Sequence, residues 1–411
     1  MKILYVTQRV PYPPNRGDKL AAYHAVRYLA RRHAVTVAAL ADSAHERENA
    51  RSLEALGIPV VLARHRPLVA RLQALGALLA GGSLSVAYFR SRRLRRRVHE
   101  LTRTMPFDVV VTFSSSMGQY AAAAGGSPLI ADFVDMDSRK WCLYAAWSRW
   151  PRSWVYATEA SRLLRYERWL ARRAYCTLVR TEAEQRDCRR LVPEASCRVL
   201  ANGVDLEYFQ PPHEGGPRRA IVFTGVMDYF PNVQAMTHFC DDIFPLIRQK
   251  VPAATFTIVG SRPTRAVIAL GRHAGVSVVG AVPDIRPYLG RAAIAVAPIR
   301  LARGVQNKVL EAMAMATPVV ATSPVAGGVG ASDGDGIQIA DLPEVFSERI
   351  VELLGNPARA RELGRRGRCF VERHCIWETL LLQLETVLEE AVNAQRASDS
   401  LIGAWNSAQA L

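Results

Sequence analysis

Short β-branched runs alternate with helix-period segments along almost the whole chain, and this alternation limits the fold more than any other feature. In the first half, such runs occupy residues 2–7, 35–40, 58–62, 107–113 and 129–133, and two shorter ones at 177–179 and 198–200 follow a long helical region at 153–174. Strands separated by helices form parallel sheets that helices cover on both faces. The pattern therefore predicts an α/β fold with a doubly wound sheet.

The same alternation starts again after the polar segment PPHEGGPRR. Strand-like runs follow at 220–225, 255–260, 276–279 and 293–297. Because 411 residues exceed the size of one ordinary core, the chain suits two domains. We predict an N-terminal Rossmann-like domain at 1–200, a linker at 201–219, a second Rossmann-like domain at 220–375 and a tail at 396–411.

The net charge of +16 lies entirely in the first half of the chain. Residues 1–200 contain 33 Lys and Arg against 16 Asp and Glu, a balance of +17, whereas the remainder has 20 against 21, a balance of −1. The charge is densest at 90–97, near the leucine-rich segment 67–79. A basic face beside an apolar helix favours an anionic membrane surface as a partner. A solvated Arg-rich helix is the alternative, and nucleic acid ranks last because no recognition module accompanies the charge.

Four of the seven tryptophans cluster in KWCLYAAWSRWPRSWVY: Trp141, Trp147, Trp150 and Trp154. Tryptophans interleaved with basic residues suit a membrane interface or a lipid-linked acceptor, and they equally suit a core. The segment MKILYVTQRV predicts a first strand instead of a signal peptide, and no run approaches the roughly 20 apolar residues of a membrane span. The seven scattered cysteines contain no C-x-x-C pair, which favours a reducing cytoplasm. We expect a cytoplasmic protein, peripheral on the inner face of the plasma membrane.

Loops that follow the strands are the candidate sites, because ligands bind beyond the carboxyl ends of parallel strands. In the first loop, PYPPNRGDK, Gly17 permits close backbone approach, and Arg16 and Lys19 can supply charge. In a later loop, Asn307 can cap a helix whose free N–H groups face a diphosphate, and Lys308 adds a full charge. Glu311, one turn further on, can accept hydrogen bonds from the two hydroxyls of a ribose. A surface Lys and Glu on an ordinary amphipathic helix is the alternative.

The loop DFVDMDS carries the carboxylates Asp132, Asp135 and Asp137. Hard cations prefer such oxygen ligands, so a metal site is one interpretation of this loop. A loop-capping role is the alternative.

The stretch GVQNKVLEAMAMATPVVAT, residues 304–322, resembles the signature of retaining GT-B glycosyltransferases of the glycosyltransferase family 4 type. The sequence NGVD with Phe209 and Pro211 resembles that family's interdomain stretch, and Gly17 falls where the family has its N-terminal glycine loop. More narrowly, TQRVPYPPNRGDK, DFVDMDSRKW and FTGVMDYFPN are similar to the sugar transferases associated with bacterial exopolysaccharide and PEP-CTERM/exosortase systems.

The resemblance implies a GT-B fold in which two doubly wound Rossmann-like domains face a central cleft, with a helix at about 376–395 returning to the first domain. It implies a nucleotide-diphosphate sugar as donor, a saccharide or polyprenyl-linked acceptor in the N-terminal domain, and retention of anomeric configuration. It also implies catalytic roles for Asp135, Asp137 and Lys308: Asp135 or Asp137 orients an acceptor hydroxyl or stabilises positive charge at the anomeric carbon, and Lys308 neutralises the leaving diphosphate. Because basic side chains and helix ends neutralise the diphosphate in such enzymes, we expect no metal and no other cofactor. Donor-binding residues are predicted to be Arg16, Gly17, Gly203, Gly225, Arg303, Gly304, Asn307, Lys308, Val309 and Glu311.

Two departures from the family pattern concern the donor. Arg303 occupies the position of the family's first Glu, which is expected to contact the donor sugar, so the identity of the sugar stays open. The loop GVMDYFPN lacks the family's phosphate-binding Arg and Lys, and we expect Lys308 with Arg303 to supply that charge. A nucleotide-sugar epimerase and a non-catalytic nucleotide-sugar-binding protein are the alternatives. A dinucleotide-dependent oxidoreductase is disfavoured because no G-x-G-x-x-G follows either opening strand.

Overall fold

A computed structural model describes residues 1–14, 17–211 and 220–409. The chain divides into two compact units, Met1–Leu200 with Glu378–Leu411, and Ala201–Trp377. Each unit is built on one parallel sheet, and this confirms the predicted pair of doubly wound α/β folds.

The first unit contains a seven-stranded sheet in the order β3-β2-β1-β4-β5-β6-β7. Its five inner strands are buried almost throughout, as expected of a parallel sheet with both faces covered, whereas its two edge strands are partly exposed. They are β1 (Lys2–Thr7), β2 (Ala34–Ala41), β3 (Val60–Arg64), β4 (Val109–Phe113), β5 (Leu129–Val134), β6 (Cys176–Val179) and β7 (Cys197–Val199).

Helices of the first unit lie between these strands, and several begin at a side-chain cap. Ser43, Ser91 and Thr181 each accept a hydrogen bond from a backbone N–H in the first turn of the helix that follows. The helices are α1 (Gly17–Ala30), α2 (Ala44–Ala55), α3 (Pro67–Leu79), α4 (Leu84–Tyr88), α5 (Arg92–Thr104), α6 (Asp137–Ala146), α7 (Arg152–Ala171) and α8 (Glu182–Leu191), and a 3-10 segment covers Ser115–Ala123.

The second unit contains a six-stranded parallel sheet in the order β10-β9-β8-β11-β12-β13. The strands are β8 (Ala220–Thr224), β9 (Thr255–Val259), β10 (Val276–Gly280), β11 (Ala292–Ala297), β12 (Val319–Ala321) and β13 (Ile337–Ile339). The helices are α9 (Phe230–His238), α10 (Phe244–Lys250), α11 (Arg265–Ala269), α12 (Arg286–Arg291), α13 (Asn307–Ala314), α14 (Ser323–Val329), α15 (Pro343–Gly355) and α16 (Pro357–His374), with shorter helical segments at Phe239–Ile243 and Leu270–Arg272.

The last helix, α17 (Trp377–Gln409), differs from the sequence prediction in its length. It starts where the returning helix was expected, but it continues through most of the predicted tail at 396–411. Its buried apolar side chains include Leu381, Leu384 and Leu388. Glu385 accepts hydrogen bonds from Tyr28, Arg32 and His33 over distances of 2.9, 2.6 and 2.9 Å, so α17 is part of the first unit's structure.

The predicted linker at 201–219 is only partly described, because 212–219 lie outside the described residues. Residues 201–211 are not a free linker, since Val204 and Phe209 are buried in the second unit's core. The Val204 N–H donates to the carbonyl of Cys375 at 2.9 Å. Burial of these two apolar side chains explains why this segment, which the sequence predicts to be a linker, packs on the second unit.

Candidate functional site

Each sheet has one point at which the strand order reverses. In the second unit it lies between β8 and β11, which are neighbours in the sheet, and in the first unit between β1 and β4. Loops leaving such a pair of strands run in opposite directions and open a crevice at the carboxyl edge, which is where ligands bind in open α/β sheets. Residues that follow β8 and β11, and those that follow β1 and β4, are therefore best placed to bind a ligand.

Backbone approaches unusually closely at the end of β8. A Cβ on Gly260 would lie 1.6 Å from the carbonyl oxygen of Gly225, so the two chain segments meet without room for a side chain. A Cβ on Gly225 would lie 2.9 Å from Asn232 Nδ2 and 3.3 Å from Lys308 Nζ. The glycine that was predicted to bind the donor thus leaves space for the lysine beside it.

Lys308 lies in the first turn of α13, and its ammonium group is held by neutral partners. Nζ donates a hydrogen bond to Asn232 Oδ1 at 2.7 Å and lies 4.5 Å from the ring centroid of Phe223. Burial lowers the pKa of Lys308 from 10.5 to about 7, and the carboxylate of Glu311 partly opposes this shift. An anion bound here would favour the charged form, because an opposite charge raises the pKa of an amine.

Glu311 follows Lys308 by one helical turn. Burial raises the pKa of Glu311 to about 7, and the charge of Lys308 acts in the other direction. The first turn of α13 therefore presents one cationic and one anionic side chain, both titrating near neutral pH, beside the free N–H groups of a helix start. This combination suits a ligand that carries a phosphate and neighbouring hydroxyls.

Two other residues of this helix differ from their predicted roles. Asn307 is not the N-cap, because α13 begins at Asn307 itself and the capping position belongs to Gln306, which makes no side-chain cap. Instead, Asn307 Oδ1 accepts a hydrogen bond from Asn202 Nδ2 at 2.9 Å. The side chain of Val309 is buried in the core, so only its backbone is available to a ligand.

The remaining predicted donor residues of the second unit lie nearby in the chain. Gly304 adopts a φ of 67°, a left-handed conformation that favours glycine in the loop before α13. Arg303 precedes it, and its carbonyl oxygen accepts a hydrogen bond from Gln306 Nε2 at 3.3 Å. Gly203 lies instead against the ring of Trp377, where a Cβ would be 2.7 Å from Cδ2, so packing alone accounts for this glycine.

In the first unit, a polar network joins the two strands at the reversal point. Gln8 directly follows β1, and its Nε2 donates to Ser114 Oγ at 2.7 Å and to Ser116 Oγ at 2.8 Å. Ser114 directly follows β4, and Ser116 lies in the 3-10 segment after it. Ser114 has a φ of 76°, which is unfavourable for a residue other than glycine. Strained backbone that a polar network holds in place is common at ligand sites.

Asp135 follows β5, next along the sheet. Its Oδ1 is buried without a hydrogen-bond partner among the described residues, and the preceding Val134 has a φ of 67°. Burial, with smaller contributions from Glu184 and Asp137, raises the pKa of Asp135 to about 7. A β-branched residue in this conformation is a genuine outlier, and it fixes the direction in which the carboxylate leaves the strand.

The other acidic residues of this loop have structural partners. Asp137 is the first residue of α6 and pairs with Lys140 three positions later. Asp132 forms a buried ion pair with Arg180 at 2.6 Å. Among the described residues, no cluster of three or more His, Cys, Asp or Glu side chains is arranged to hold a metal ion.

The first loop of the chain does not match its predicted chemistry. Lys19, expected to supply charge to a ligand, is buried and pairs with Glu46 at 2.6 Å and with the carbonyl of Tyr12 at 3.1 Å. Gly17 is the exposed first residue of α1. Arg16 lies outside the described residues.

Solved structures of sugar-handling enzymes share this architecture at low sequence identity. HepE from Anabaena in complex with UDP has a TM-score of 0.69 at 15% identity, covering 95% of this chain and 100% of its own. Sucrose-phosphate synthase from Thermosynechococcus elongatus has a TM-score of 0.71 at 16% identity, covering 96% and 100%. WaaG, described as a glycosyltransferase involved in lipopolysaccharide biosynthesis, has a TM-score of 0.61 at 12% identity, covering 95% and 99%. No curated protein sequence matches significantly.

Two family profiles match successive parts of the chain. The profile described as "Glycosyl transferase 4-like domain" matches residues 19–203, and the profile described as "Glycosyl transferases group 1" matches residues 218–356. The chain is a GT-B glycosyltransferase. This confirms the part of the sequence resemblance that predicts a glycosyltransferase with a GT-B fold, and a glycosyltransferase replaces the epimerase and the non-catalytic binding protein as interpretations.

Three polar residues of this glycosyltransferase that line the reversal points were missed in the sequence: Gln8, Ser114 and Asn232. Gln8 follows a correctly predicted strand, and Ser114 opens the run SSS after another, but their meeting depends on the order of strands in the sheet. Asn232 is the last residue of the segment GVMDYFPN and lies in the first turn of α9, and its uncharged amide is not an evident phosphate-binding group in the sequence. A search for polar residues directly after each strand would have found the first two.

Proposed function

We propose that this glycosyltransferase transfers a sugar from a nucleotide-diphosphate sugar to a saccharide or polyprenyl-linked acceptor, with retention of anomeric configuration and without a metal ion. The observation that carries the proposal is the arrangement at the start of α13, where Lys308 and Glu311 flank a glycine-lined strand end. Lys308 supplies the charge that the donor diphosphate requires, and Glu311 accepts hydrogen bonds from the ribose. The HepE structures contain UDP and UDP-glucose, which makes UDP the first nucleotide to test.

The acceptor half of the proposal is supported by the first unit. Asp135 follows β5, and its buried Oδ1 has no hydrogen-bond partner among the described residues. Gln8, Ser114 and Ser116 form a hydrogen-bonded polar edge at the reversal point. We assign to Asp135 the orientation of an acceptor hydroxyl or the stabilisation of positive charge at the anomeric carbon. The donor diphosphate accepts the proton of that hydroxyl in a retaining transfer on one face of the sugar.

A binding screen tests the donor class. Thermal shift with UDP-, GDP-, ADP- and dTDP-sugars should show stabilisation by one nucleotide, because a ligand that binds only the folded state raises its stability. Lys308→Ala should abolish that stabilisation and turnover together. If Lys308→Ala retains both donor affinity and turnover, the assignment of Lys308 is wrong.

A second element of the proposal is attachment to an anionic membrane surface on the cytoplasmic side. Helix α3 exposes Leu68, Leu72, Leu75 and Leu79 with exposed fractions of 74%, 69%, 56% and 84%. These positions repeat at intervals of three or four residues, so the leucines form one apolar face. In the part of the chain that the structure describes, every helix is too short or too polar to span a bilayer.

Basic and aromatic residues accompany this apolar face. Arg162 of α7 donates to the carbonyls of Leu78 and Gly82 at 2.5 and 3.2 Å, which ties α7 to the end of α3. Trp154 of α7 and Trp150 just before it are exposed. Helix α5 buries Leu94 and Val98 and presents a series of arginines on its remaining surface. Apolar insertion and attraction to anionic lipid therefore occur in one unit.

Flotation with vesicles tests the attachment. The wild type should float with phosphatidylglycerol vesicles, less well in high salt, and poorly with phosphatidylcholine alone, because part of the attraction is electrostatic. Leu72→Gln/Leu75→Gln/Leu79→Gln should remain at the bottom, and Trp147→Ala/Trp150→Ala should float less. Leu342→Gln/Leu382→Gln, which changes leucines exposed elsewhere, is the control. Equal flotation of all variants would contradict the proposed surface.

These features also support a role in bacterial exopolysaccharide biosynthesis, of the kind associated with PEP-CTERM/exosortase systems. The support consists of the sequence resemblance in three loops and of a surface suited to lipid-linked acceptors. Release of free nucleotide from the donor, stimulated by a membrane lipid extract that contains polyprenyl-linked saccharide, would test it. Equal nucleotide release with delipidated saccharide would argue for a soluble acceptor.

A further inference from the structure

Helix α9 faces the donor site through one buried amide that has no assigned role. Asn232 is 3% exposed and lies in the first turn of that helix. Its Nδ2 donates to the carbonyl of Val226 at 2.9 Å, and its Oδ1 accepts from Lys308 Nζ at 2.7 Å. The first of these bonds fixes which way the amide is turned, so that its oxygen faces the lysine.

We propose that Asn232 is a positioning residue, which holds the Lys308 ammonium group in place and in its charged form for the diphosphate of the donor. This inference rests on the proposed function. It assigns to Asn232 the task of preparing the cation, at a position where the loop after β8 contains no lysine or arginine of its own between Gly225 and Asn232.

The surroundings of Lys308 explain why such a residue is required. The ammonium group of Lys308 lies beside the backbone of Gly225 and the ring of Phe223. Neither group accepts the hydrogen bonds that the ammonium would donate to water if it were exposed. Among the described residues, Glu311 on the same helix is the charged group whose field acts on Lys308. An amide oxygen accepts a charge-assisted hydrogen bond from the ammonium without adding a negative charge that would repel phosphate.

The alternatives at position 232 have opposite consequences. Leucine has the same branched arrangement of side-chain heavy atoms as asparagine but accepts no hydrogen bond, so the neutral amine is favoured. Aspartate stabilises the ammonium more strongly than asparagine does, but its negative charge lies where the diphosphate binds. Asparagine therefore combines a charged lysine with a site open to anions.

The chain has only five lysines, Lys2, Lys19, Lys140, Lys250 and Lys308, so the titration of Lys308 can be observed directly. In protein labelled with lysine enriched in ¹³C at Cε, five signals are followed against pH by NMR. The Lys308 signal is the one that disappears in Lys308→Arg. UDP is the binding probe, measured by calorimetry at pH 7.5, with GDP, ADP and dTDP as alternatives.

In the wild type, the Lys308 midpoint should lie far below those of the other lysines, near the value of about 7 that burial gives. In Asn232→Leu the midpoint should fall by about one pH unit, and UDP should bind about tenfold more weakly, because a hydrogen bond to a charged group is lost. In Asn232→Asp the midpoint should rise, while UDP affinity stays below that of the wild type. Thr237→Val, on the same helix, should match the wild type in both measurements.

A purely structural role for Asn232 would weaken UDP binding in both variants without moving the lysine midpoint in opposite directions. Midpoints that equal the wild-type value in folded Asn232→Leu and Asn232→Asp would overturn the proposal, even with UDP binding intact. Failure of the wild type to bind any of the four nucleoside diphosphates would overturn the proposed function instead. The two failures are thus distinguishable.

Discussion

Arg180 and Asp132 form a buried ion pair at the carboxyl edge of the first sheet, with 2.6 Å between Nη2 and Oδ2. Asp132 also accepts a hydrogen bond from the N–H of Val134 at 3.0 Å, and Arg180 donates to the carbonyl of Leu200 at 2.9 Å. The pair therefore supports the strained backbone from which Asp135 projects.

Breaking this pair should destabilise the first unit. Arg180→Leu leaves the Asp132 carboxylate buried without its counter-charge, and such a loss costs about 3–5 kcal/mol. Urea unfolding followed by tryptophan fluorescence is suited to the measurement, because all the tryptophans except Trp377 belong to the first unit. Asp132→Leu/Arg180→Leu should recover most of the free energy of unfolding. An unchanged urea midpoint in Arg180→Leu would show that the ion pair does not contribute this stability.

Replacing the acidic residues after β5 should separate their roles. Asp135→Asn should lower kcat by about 100-fold or more, as expected when a side chain that acts on a reacting group is removed. Asp137→Asn should have a smaller effect, because Asp137 is already paired with Lys140. Steady-state kinetics at saturating donor and acceptor would measure both. If both variants keep the wild-type kcat, neither carboxylate takes part in the mechanism.

The donor site should work best near neutral pH. Lys308 is charged below its pKa of about 7, to which burial lowers it, and Glu311 is charged above its pKa of about 7, to which burial raises it. Since binding requires both charges, kcat/KM for the donor should fall on either side of pH 7. Lys308→Arg should remove the alkaline decline, because a guanidinium stays protonated. A flat profile between pH 6 and 8 would contradict this assignment.

Glu167 should make the wild type less stable as the pH rises. Burial raises the pKa of Glu167 from 4.5 to about 8, so the folded state keeps a proton that the unfolded chain releases between those values. The free energy of unfolding therefore falls as pH rises through this window. The side chain in Glu167→Gln cannot ionise. The free energy of unfolding of this variant should therefore equal that of the wild type near pH 4.5 and exceed it by a few kcal/mol near pH 8. Denaturation at the two pH values measures the difference, and an equal effect at both would exclude this titration.

Much of the fold was predictable because parallel strands that are buried on both faces appear in the sequence as short continuous runs of apolar residues. Strand β1 was predicted at its observed bounds, and the other strands of the first unit within two residues. Strand β13 was missed because three residues, Ile337–Ile339, give no periodicity. The end of α17 was misjudged because its last third lacks an apolar stripe, yet the backbone continues as a helix.

The chemistry of the site was less predictable, since partners come from distant strands. The sequence shows Lys308 and Glu311 one turn apart, but not that Asn232 and Phe223 enclose the lysine. The sequence predicts that Lys19 supplies charge to a ligand, but the side chain of Lys19 is buried and paired with Glu46. Side-chain pairing between segments depends on strand order, which local patterns do not contain.

The placement of α17 in the first unit affects the order in which the protein can be completed during synthesis. Residues 1–200 leave the ribosome long before Glu385, which receives the hydrogen bonds of Tyr28, Arg32 and His33. At about 5–20 residues per second, the intervening segment takes roughly 10 to 35 s to translate. During that time the second unit, which is continuous in sequence, can fold, whereas the surface that α17 covers stays exposed to water. The half that is synthesised first is therefore the half that is finished last.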